Sequence, residues 1–411
     1  MNARKQLAFL CHPYHRGGVT RWMVDAAAHA AKAGHSVWFV TVQPSAEFHN
    51  SGGRESIWSL LQPHSGVMTI VTEKAGYEFE FGTEEYRAAI YAKLIGKGVP
   101  QGVPVIISDD RAVWAGAAAV ANRNPMVGVL HCDDPYYYEI GRRYKDQMAA
   151  CVCVSERVKR LFLQQCPDVP VAKVSAIPCG INLPPVRSEG SLAGDTTRLV
   201  FIGRFNDEQK RAGDLVKIAG VLAAQHFPFH LDIAGNDELS KQEYSVYFQE
   251  AGAGDKVTFN GWLNAGQVND LLSRADVLVL TSNFEGTPLV MMEALAAGCG
   301  FAGTRVSGIE DYEHHAFAAD CFRSFDVGDI TEAAKEIREV SAIPVSQRRA
   351  AARKLAEAEF SIEVCMERYY RVLDTATASG ITPAPLQAGG LQMMRSRLMA
   401  LARVLKLSLR K

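Results

Sequence analysis

The chain has 411 residues, of which 48% are hydrophobic and 22% are charged, a composition typical of a soluble globular protein with two or three domains. The formal net charge is -1, so no global field attracts nucleic acid and none is expected as a partner. The nine cysteines lack the spacing of a metal site and favour a reducing compartment. With neither a signal peptide nor a bilayer-spanning segment in the sequence, we expect a cytoplasmic protein.

The first elements are typical of a parallel α/β sheet. A strand at 7–10 is followed by a glycine-containing loop, a helix at about 20–32 and a strand at 37–41, which implies a right-handed βαβ unit. The loop contains Gly17 and Gly18, which either let backbone approach a phosphate closely or serve only as turn residues.

Two further strands are predicted at 103–108 and 126–130, and each is followed by polar residues. These residues would lie at the carboxyl edge of the sheet, where α/β proteins bind ligands. His131 follows the second strand and is either a structural residue or part of a site. Asp133 and Asp134 come next, but the chain lacks the D-x-D spacing of metal-dependent transferases, so we expect no metal. Residues 50–100 suggest no role.

A second domain is predicted to begin at 198, after a linker at 183–197 that is rich in Pro, Gly and Ser. Its first strand leads into Gly203 and Arg204, and Lys210 follows before a helix. Two fixed cations at a strand end could stabilise an anionic leaving group, although ordinary surface charges would look the same.

The most informative stretch is 277–298, which predicts a strand, a loop and a helix. The apolar run Val277–Leu280 suits a strand buried on both faces. Thr287 is expected to cap a helix that begins at Pro288, and Gly298 fits the left-handed position past its end. Such a helix would direct unpaired N–H groups at an anion above the strand ends.

Two glutamates flank that predicted anion site. Glu285 lies in the loop, and Glu293 lies in the helix after seven intervening residues. Either could be a solvated charge. However, Glu293 stands among apolar residues, and a carboxylate in such surroundings is rarely retained without a partner such as a ligand hydroxyl.

The segment 285–294, E-G-T-P-L-V-M-M-E-A, resembles the E-x7-E motif of the family 4 retaining glycosyltransferases of GT-B fold. The glycine loop after the first strand, I-P-C-G-I-N at 177–182 and G-R-F at 203–205 are similar to family patterns, and the resemblance covers about 1–373. Arg211, Gly300 and Ser307 depart from the usual family residues.

The resemblance implies an α/β protein of GT-B fold, with two Rossmann-like domains whose parallel sheets face each other across a cleft. The acceptor-side domain would be 1–182, with a C-terminal helix at about 360–373 packing back onto it. The linker would be 183–197, and 198–359 would bind the nucleotide sugar.

The implied activity is retaining transfer of a hexosyl unit from a nucleoside-diphosphate sugar, without cofactor or metal, to a glycan or lipid-linked glycan in cell-surface polysaccharide synthesis. The resemblance assigns catalysis to His131, Glu285, Arg204 and Lys210, and donor binding to Gly17, Gly18, Arg204, Lys210, Glu285, Gly286, Thr287, Pro288, Leu289 and Glu293. The alternatives are a GT-B epimerase or phosphorylase, and a non-catalytic sugar-binding subunit.

The residues beyond this resemblance, 375–411, form a predicted linker and a basic amphipathic tail. The segment 391–411 contains six Arg and Lys residues and no acidic residue. This pattern favours an anionic membrane surface, which would place the protein peripherally on the inner face of the membrane. A partner protein or a disordered tail would fit the pattern as well.

Overall fold

A computed structural model of the chain describes residues 4–14, 17–44, 56–107, 109–185 and 196–378. The tail expected at 391–411 and most of the linker expected at 183–197 lie outside these residues. Within the described part of the chain, no helix is both long enough and apolar enough to cross a membrane.

The first half of the chain forms a parallel sheet from runs of apolar residues that are buried on both faces. Its strands, with the small pair β3 and β5 beside them, are β1 (Gln6–Leu10), β2 (Ser36–Val40), β3 (Gln43–Pro44), β4 (Thr69–Val71), β5 (Lys74–Ala75), β6 (Val105–Ile107), β7 (Met126–Leu130), β8 (Met148–Cys153) and β9 (Val174–Ala176). The seven-stranded sheet has the order β4-β2-β1-β6-β7-β8-β9.

Helices cover this sheet, and several begin with a side-chain cap that satisfies their first N–H groups. Asp110, Asp134 and Ser155 each accept hydrogen bonds from the first turn of the helix that follows them. The helices are α1 (Gly18–Lys32), α2 (Trp58–Leu61), α3 (Tyr77–Phe81), α4 (Glu84–Gly98), α5 (Arg111–Ala118), α6 (Pro135–Tyr144) and α7 (Glu156–Gln165), with short 3₁₀ turns at Gln62–His64 and Val171–Lys173.

The second half forms another parallel sheet, with the order β12-β11-β10-β13-β14-β15. Its strands are β10 (Thr197–Ile202), β11 (Phe229–Ala234), β12 (Val257–Gly261), β13 (Val277–Leu280), β14 (Gly300–Thr304) and β15 (Phe322–Phe325). Its helices are α8 (Ala212–Ala224), α9 (Glu238–Glu250), α10 (Ala265–Arg274), α11 (Leu289–Ala296), α12 (Ile330–Ala342), α13 (Val345–Glu359) and α14 (Ile362–Ala378), with 3₁₀ turns at Gly254–Lys256, Glu310–Tyr312 and Ala318–Asp320.

Each sheet has a topological switch point, where the strand order reverses. In the first sheet β1 lies between β2 and β6, and in the second β10 lies between β11 and β13. Ligands of open α/β sheets bind beyond the carboxyl ends of the strands at such points. The two Rossmann-like parallel sheets predicted from the sequence are therefore confirmed, and they define where a site is expected.

The last helix, α14, returns to the first sheet. The ring of Tyr369 lies 5.5 Å from that of Trp22 in α1, and Lys5 Nζ is 2.6 Å from a carboxylate oxygen of Asp374. The division at 182, 197 and 359 stays a prediction, since most of the linker lies outside the described residues.

Candidate active site

The carboxyl edges of the two sheets meet through direct hydrogen bonds. The backbone N–H of Asp133 donates to the carbonyl of Glu285 at 2.9 Å, and the Thr287 hydroxyl donates to the carbonyl of Val154 at 2.5 Å. Deeper in the junction, the hydroxyls of Ser155 and Ser307 lie 2.7 Å apart. The loop after β13 is thereby fixed between the domains, so its side chains face groups from both.

Lys210 and Glu285 form a buried ion pair at the switch point of the second sheet. Lys210 precedes α8 and Glu285 follows β13, and the lysine Nζ donates to Glu285 Oε1. The Ser282 hydroxyl donates to the same carboxylate oxygen at 2.7 Å. The two charged side chains are only 11% and 8% exposed, so each depends on the other for compensation.

Arg204 extends the positive charge toward solvent. Its side chain is exposed and donates to Gln209 Oε1 at 3.1 Å, which keeps it on the loop that carries Lys210. The neighbouring Arg211 is bound elsewhere, because its Nε donates to Asp214 at 2.6 Å and its Nη1 to Asn283 at 3.1 Å. Lys210 is therefore the cation directed at Glu285, whereas Arg211, which departs from the usual family residue, is not.

The helix after this loop begins one residue later than the sequence predicts, and its expected cap is wrong. Helix α11 starts at Leu289, and Pro288 precedes it in an extended conformation without a side-chain cap. Thr287 does not cap because its hydroxyl bonds Val154 in the other domain. Gly298 takes the expected left-handed conformation past the end, with φ of 83°.

Glu293 lies one turn into α11, and its side chain is 20% exposed. Its Oε1 is 3.6 Å from Nη1 of Arg21, which comes from α1 of the other domain and also lies 3.7 Å from Asp25. Burial raises the pKa of the Glu293 carboxyl, and the Arg21 charge lowers it in part. Glu293 is therefore largely buried, as its apolar neighbours in the sequence indicate. Its partner is the guanidinium of Arg21, which the sequence did not predict.

The glycine loop of the first sheet lies against the same helix. Gly17 has φ of 114°, a backbone conformation that side chains disfavour. A Cβ at Gly18 would collide with the side chain of Leu289 at the start of α11. Both loops expected to bind the donor, one from each domain, therefore meet at this point.

His131 lies at the junction but is enclosed. Its ring centroid is 5.4 Å from that of Trp22 and 6.2 Å from that of Tyr137, and its Nδ1 is 3.8 Å from the sulfur of Cys179. Within the described part of the chain, its Nε2 has no hydrogen-bond partner. Burial lowers the pKa of the imidazole to about 3, so the ring is neutral at physiological pH and has little capacity to act as a general acid there.

We expect the His131 ring to show no titration between about pH 5 and pH 8. Unfolding exposes an imidazole of ordinary pKa, near 6.5. Between that value and about 3, the imidazole is therefore protonated in the unfolded state and neutral in the folded state. The His131 contribution to stability is therefore highest above that value and falls as the pH drops toward about 3. NMR titration of the ring, compared with a His131→Phe variant for assignment, measures this, and a midpoint near the ordinary histidine value would contradict it.

Gly286 allows the close approach of the two domains. A Cβ at this position would collide with the carbonyl oxygen of His131, which is backbone and cannot rotate away. We expect Gly286→Ala to lower turnover about 5- to 150-fold, because a clash of this kind costs about 1–3 kcal/mol.

The matched control is Gly96→Ala in α4, where a Cβ would meet open space. That change should leave turnover unchanged and stabilise the helix by up to ~1 kcal/mol. Steady-state kinetics and thermal unfolding of both variants measure the effects. Normal turnover of Gly286→Ala would show that this domain contact is not part of the active arrangement.

Two contributors to the site could not be recognised from the sequence. Ser282 bonds Glu285 and Arg21 lies beside Glu293, and neither residue belongs to a motif that would indicate its partner. In the described residues, no group of three or more His, Cys, Asp or Glu side chains is arranged to hold a metal ion.

Curated relatives share parts of the sequence. The chain is 31% identical over 109 residues to lipopolysaccharide 1,6-galactosyltransferase of Escherichia coli, covering 26% of this chain and 29% of that protein. It is 24% identical over 375 residues to glycogen synthase of Mycobacterium tuberculosis, covering 82% and 86% of the two chains. The matches to the first three relatives span only 29–34% of those proteins' lengths.

A solved structure shares the fold over most of the chain. The crystal structure of Alr3699/HepE of Anabaena in complex with UDP-glucose aligns with a TM-score of 0.66 and 15% identity, over 90% of this chain and 99% of that one. The model described as "Glycosyltransferase Family 4" matches residues 16–184, and "Glycosyl transferases group 1" matches residues 186–357. The chain therefore belongs to the group 1, family 4 type of glycosyltransferases with GT-B fold.

Proposed function

We propose that this protein is a retaining glycosyltransferase that moves a hexosyl unit from a nucleoside-diphosphate sugar to a hydroxyl of a glycan acceptor. The observation that carries this proposal is the buried Lys210–Glu285 pair, which lies at the switch point of the second sheet beside the start of α11. In this proposal, a cation, a carboxylate and backbone N–H groups would surround one donor at that position.

Each part of the donor meets a group suited to its chemistry. The diphosphate of the donor is negatively charged, and Arg204 and Lys210 can stabilise the further charge that develops on it as the bond to the sugar breaks. Glu285 and the backbone after it, with Gly286 and Pro288, would hold the sugar hydroxyls. Glu293 would accept hydrogen bonds from the ribose hydroxyls, which requires it to exchange Arg21 for the ligand.

The configuration of the anomeric carbon is retained if the acceptor hydroxyl attacks this carbon from the same face from which the diphosphate leaves. In this proposal the leaving phosphate oxygen takes the acceptor proton, and the protein supplies positioning and charge stabilisation without a covalent nucleophile. A neutral, buried His131 fits a positioning role beside the sugar rather than proton transfer.

We propose further that transfer needs no metal, because fixed cations from the chain supply the positive charge near the leaving group. Activity should then be the same in EDTA as in magnesium. An absolute requirement for a divalent ion would remove this part of the proposal.

The test of the whole proposal is a screen of nucleoside-diphosphate sugars for thermal stabilisation, followed by product analysis with the best donor. A ligand at ~100 times its dissociation constant adds ~2.7 kcal/mol to the free energy of unfolding. The expected product has a new glycosidic bond with the donor's anomeric configuration, which NMR coupling constants report. An epimerised nucleotide sugar, or an inverted bond, would contradict the proposal.

The acceptor of such an enzyme could be lipid-linked, as in cell-surface polysaccharide synthesis, and the basic segment 391–411 suits this. Anionic lipid attracts each nearby basic side chain by about 1 kcal/mol. We expect deletion of 383–411 to abolish sedimentation with phosphatidylserine vesicles at low salt. Activity on a soluble acceptor should survive, since every residue assigned to the chemistry lies earlier in the chain. Equal vesicle binding by both forms would exclude the membrane role.

A further inference from the structure

A cluster of charged side chains joins the two domains beside the loop that carries Glu285. Arg157 lies in the first turn of α7, in the first domain, and Glu310 lies in the segment after β14, in the second. Nη1 of Arg157 donates to Oε2 of Glu310 at 3.1 Å. Nη2 of Arg160, about one turn further along α7, is 3.7 Å from the other carboxylate oxygen of Glu310. The pairing therefore crosses the junction between the domains.

Arg157 also reaches inward, toward the candidate active site. Its Nε is 3.1 Å from Oδ2 of Asp133. The backbone N–H of Asp133 donates to the carbonyl of Glu285 at 2.9 Å, and Oδ1 of Asp133 accepts from the Tyr138 hydroxyl at 2.7 Å. One guanidinium thus binds a carboxylate from each domain, as its fork of donors allows, and Asp133 connects it directly to the loop after β13.

The start of α7 binds the second domain at two more points. The N–H of Glu156 donates to Oδ2 of Asp311 at 2.9 Å. The Ser155 hydroxyl, which caps α7, lies 2.7 Å from that of Ser307. Carboxylates are stabilised at a helix N-terminus by the partial positive charge of its free N–H groups. The segment 307–311 is therefore docked on the first turn of α7 by hydrogen bonds and by charge.

The same segment packs against the loop expected to bind the donor. Gly308 has φ of 72°, and a Cβ at this position would collide with the carbonyl oxygen of Gly286. The Ser307 hydroxyl lies 3.4 Å from that oxygen. A movement of 307–311 away from α7 would therefore also displace the backbone that follows Glu285.

The local stability of α7 does not account for a cation at position 157. A positive charge in the first turn opposes the helix dipole, at a typical cost of about 0.3–1 kcal/mol. The Arg157 side chain is 34% exposed, and an exposed ion pair contributes only about 0.2–1 kcal/mol. These two effects largely offset each other. What distinguishes Arg157 is that its two partners belong to different domains.

We propose that Arg157 is a positioning residue for the transfer reaction. By binding Asp133 and Glu310 together, it fixes the loop that carries Glu285 relative to the first domain. The inference rests on the proposed function, in which Glu285 holds the donor sugar. Arg157 acts through Asp133 rather than by contact with a substrate. Its effect on turnover can still be large, because a displacement of about 1 Å at a reacting group can reduce the rate about 100-fold.

The first test is the steady-state kinetics of Arg157→Ala with the donor identified by the screen. We expect kcat to fall at least about fivefold, because the loop loses its fixed geometry. Affinity for the nucleoside diphosphate without its sugar should stay within about twofold of wild type, since the residues proposed to hold it have other partners. Arg157→Lys keeps the charge but not the fork that spans two carboxylates, so it should recover only part of kcat.

The second test breaks the same bridge from the other domain. Glu310→Gln removes the charge with little change in shape. The double variant Arg157→Ala with Glu310→Gln should lose no more kcat than the worse single variant, because both changes remove one interaction. The difference in kcat between wild type and Arg157→Ala should shrink between about 0.05 M and about 0.5 M salt, because a partly exposed ion pair is screened.

The matched control is Arg143→Ala. It breaks a pair with Glu84 at 3.6 Å that lies within the first domain, so kcat and its salt dependence should stay as in the wild type. Thermal unfolding shows whether each variant is folded at the assay temperature. If Arg157→Ala is not, Glu310→Gln carries the test alone.

The proposal is wrong if Arg157→Ala, or Glu310→Gln in its place, keeps kcat within about twofold of wild type. It is equally wrong if the losses of the two single variants multiply in the double variant, or if Arg143→Ala loses as much. A wild-type chain that transfers no sugar is a different failure, because it would overturn the proposed function and this inference with it.

Discussion

Replacement of Lys210 by alanine is expected to reduce turnover at least about 30-fold, since losing one preorganised charge at a developing anion costs ~2 kcal/mol or more. The reason lies in its position, with the ammonium buried against Glu285 beyond the end of β10. Arg204→Ala should show a loss of the same kind. If either variant keeps turnover within a factor of about three, the assignment of these cations to the diphosphate is wrong.

Folding must be separated from chemistry in this experiment. Removing one partner of a buried ion pair costs about 3–5 kcal/mol, because the other charge is left uncompensated. The double variant Lys210→Met with Glu285→Gln removes both charges, so its melting temperature should recover while its turnover stays low. Lys217→Ala is the matched control, because this exposed lysine lies on α8 and its ammonium is 3.2 Å from a carboxylate oxygen of Asp214, away from Glu285. It should behave as wild type.

The local features of the site could be predicted from the sequence because they depend on short-range rules. The apolar run before Glu285 predicts a buried strand, and Gly298 predicts the end of the helix; both elements are present. The spacing of Glu285 and Glu293 likewise places one in the loop and one in the helix. These properties follow from the residues themselves and their immediate neighbours.

The prediction that was wrong, and the contacts that were not predicted, depend on how the two domains meet. Thr287 has the right residue type and position to cap a helix. However, its hydroxyl donates to the carbonyl of Val154 in the other domain, a contact that the local sequence cannot predict. The same holds for Arg21, which reaches Glu293 only because α1 and α11 meet across the cleft.

The second large effect is expected at Glu293. Glu293→Gln should weaken binding of the nucleotide donor by about 10–100-fold, since hydrogen bonds to a charged acceptor contribute about 1.5–3 kcal/mol. Calorimetric titration with the donor identified by the screen measures this. Glu363→Gln, an exposed glutamate on α14, is the control and should leave affinity unchanged. Unaltered affinity in Glu293→Gln would show that this carboxylate does not contact the donor.

The pH dependence of donor affinity tests the role of Glu293 independently. Burial raises the pKa of the Glu293 carboxyl above its ordinary value of 4.5, and Arg21 lowers it in part. Because the ionised form is the better acceptor, affinity in the wild type should fall on acidification through this raised pKa, and Glu293→Gln should lose that dependence. Arg21→Ala removes the cation that favours the ionised form, so the fall should begin at a higher pH than in the wild type. A fall that moves to lower pH in Arg21→Ala, or that persists in Glu293→Gln, would assign the titration to another group.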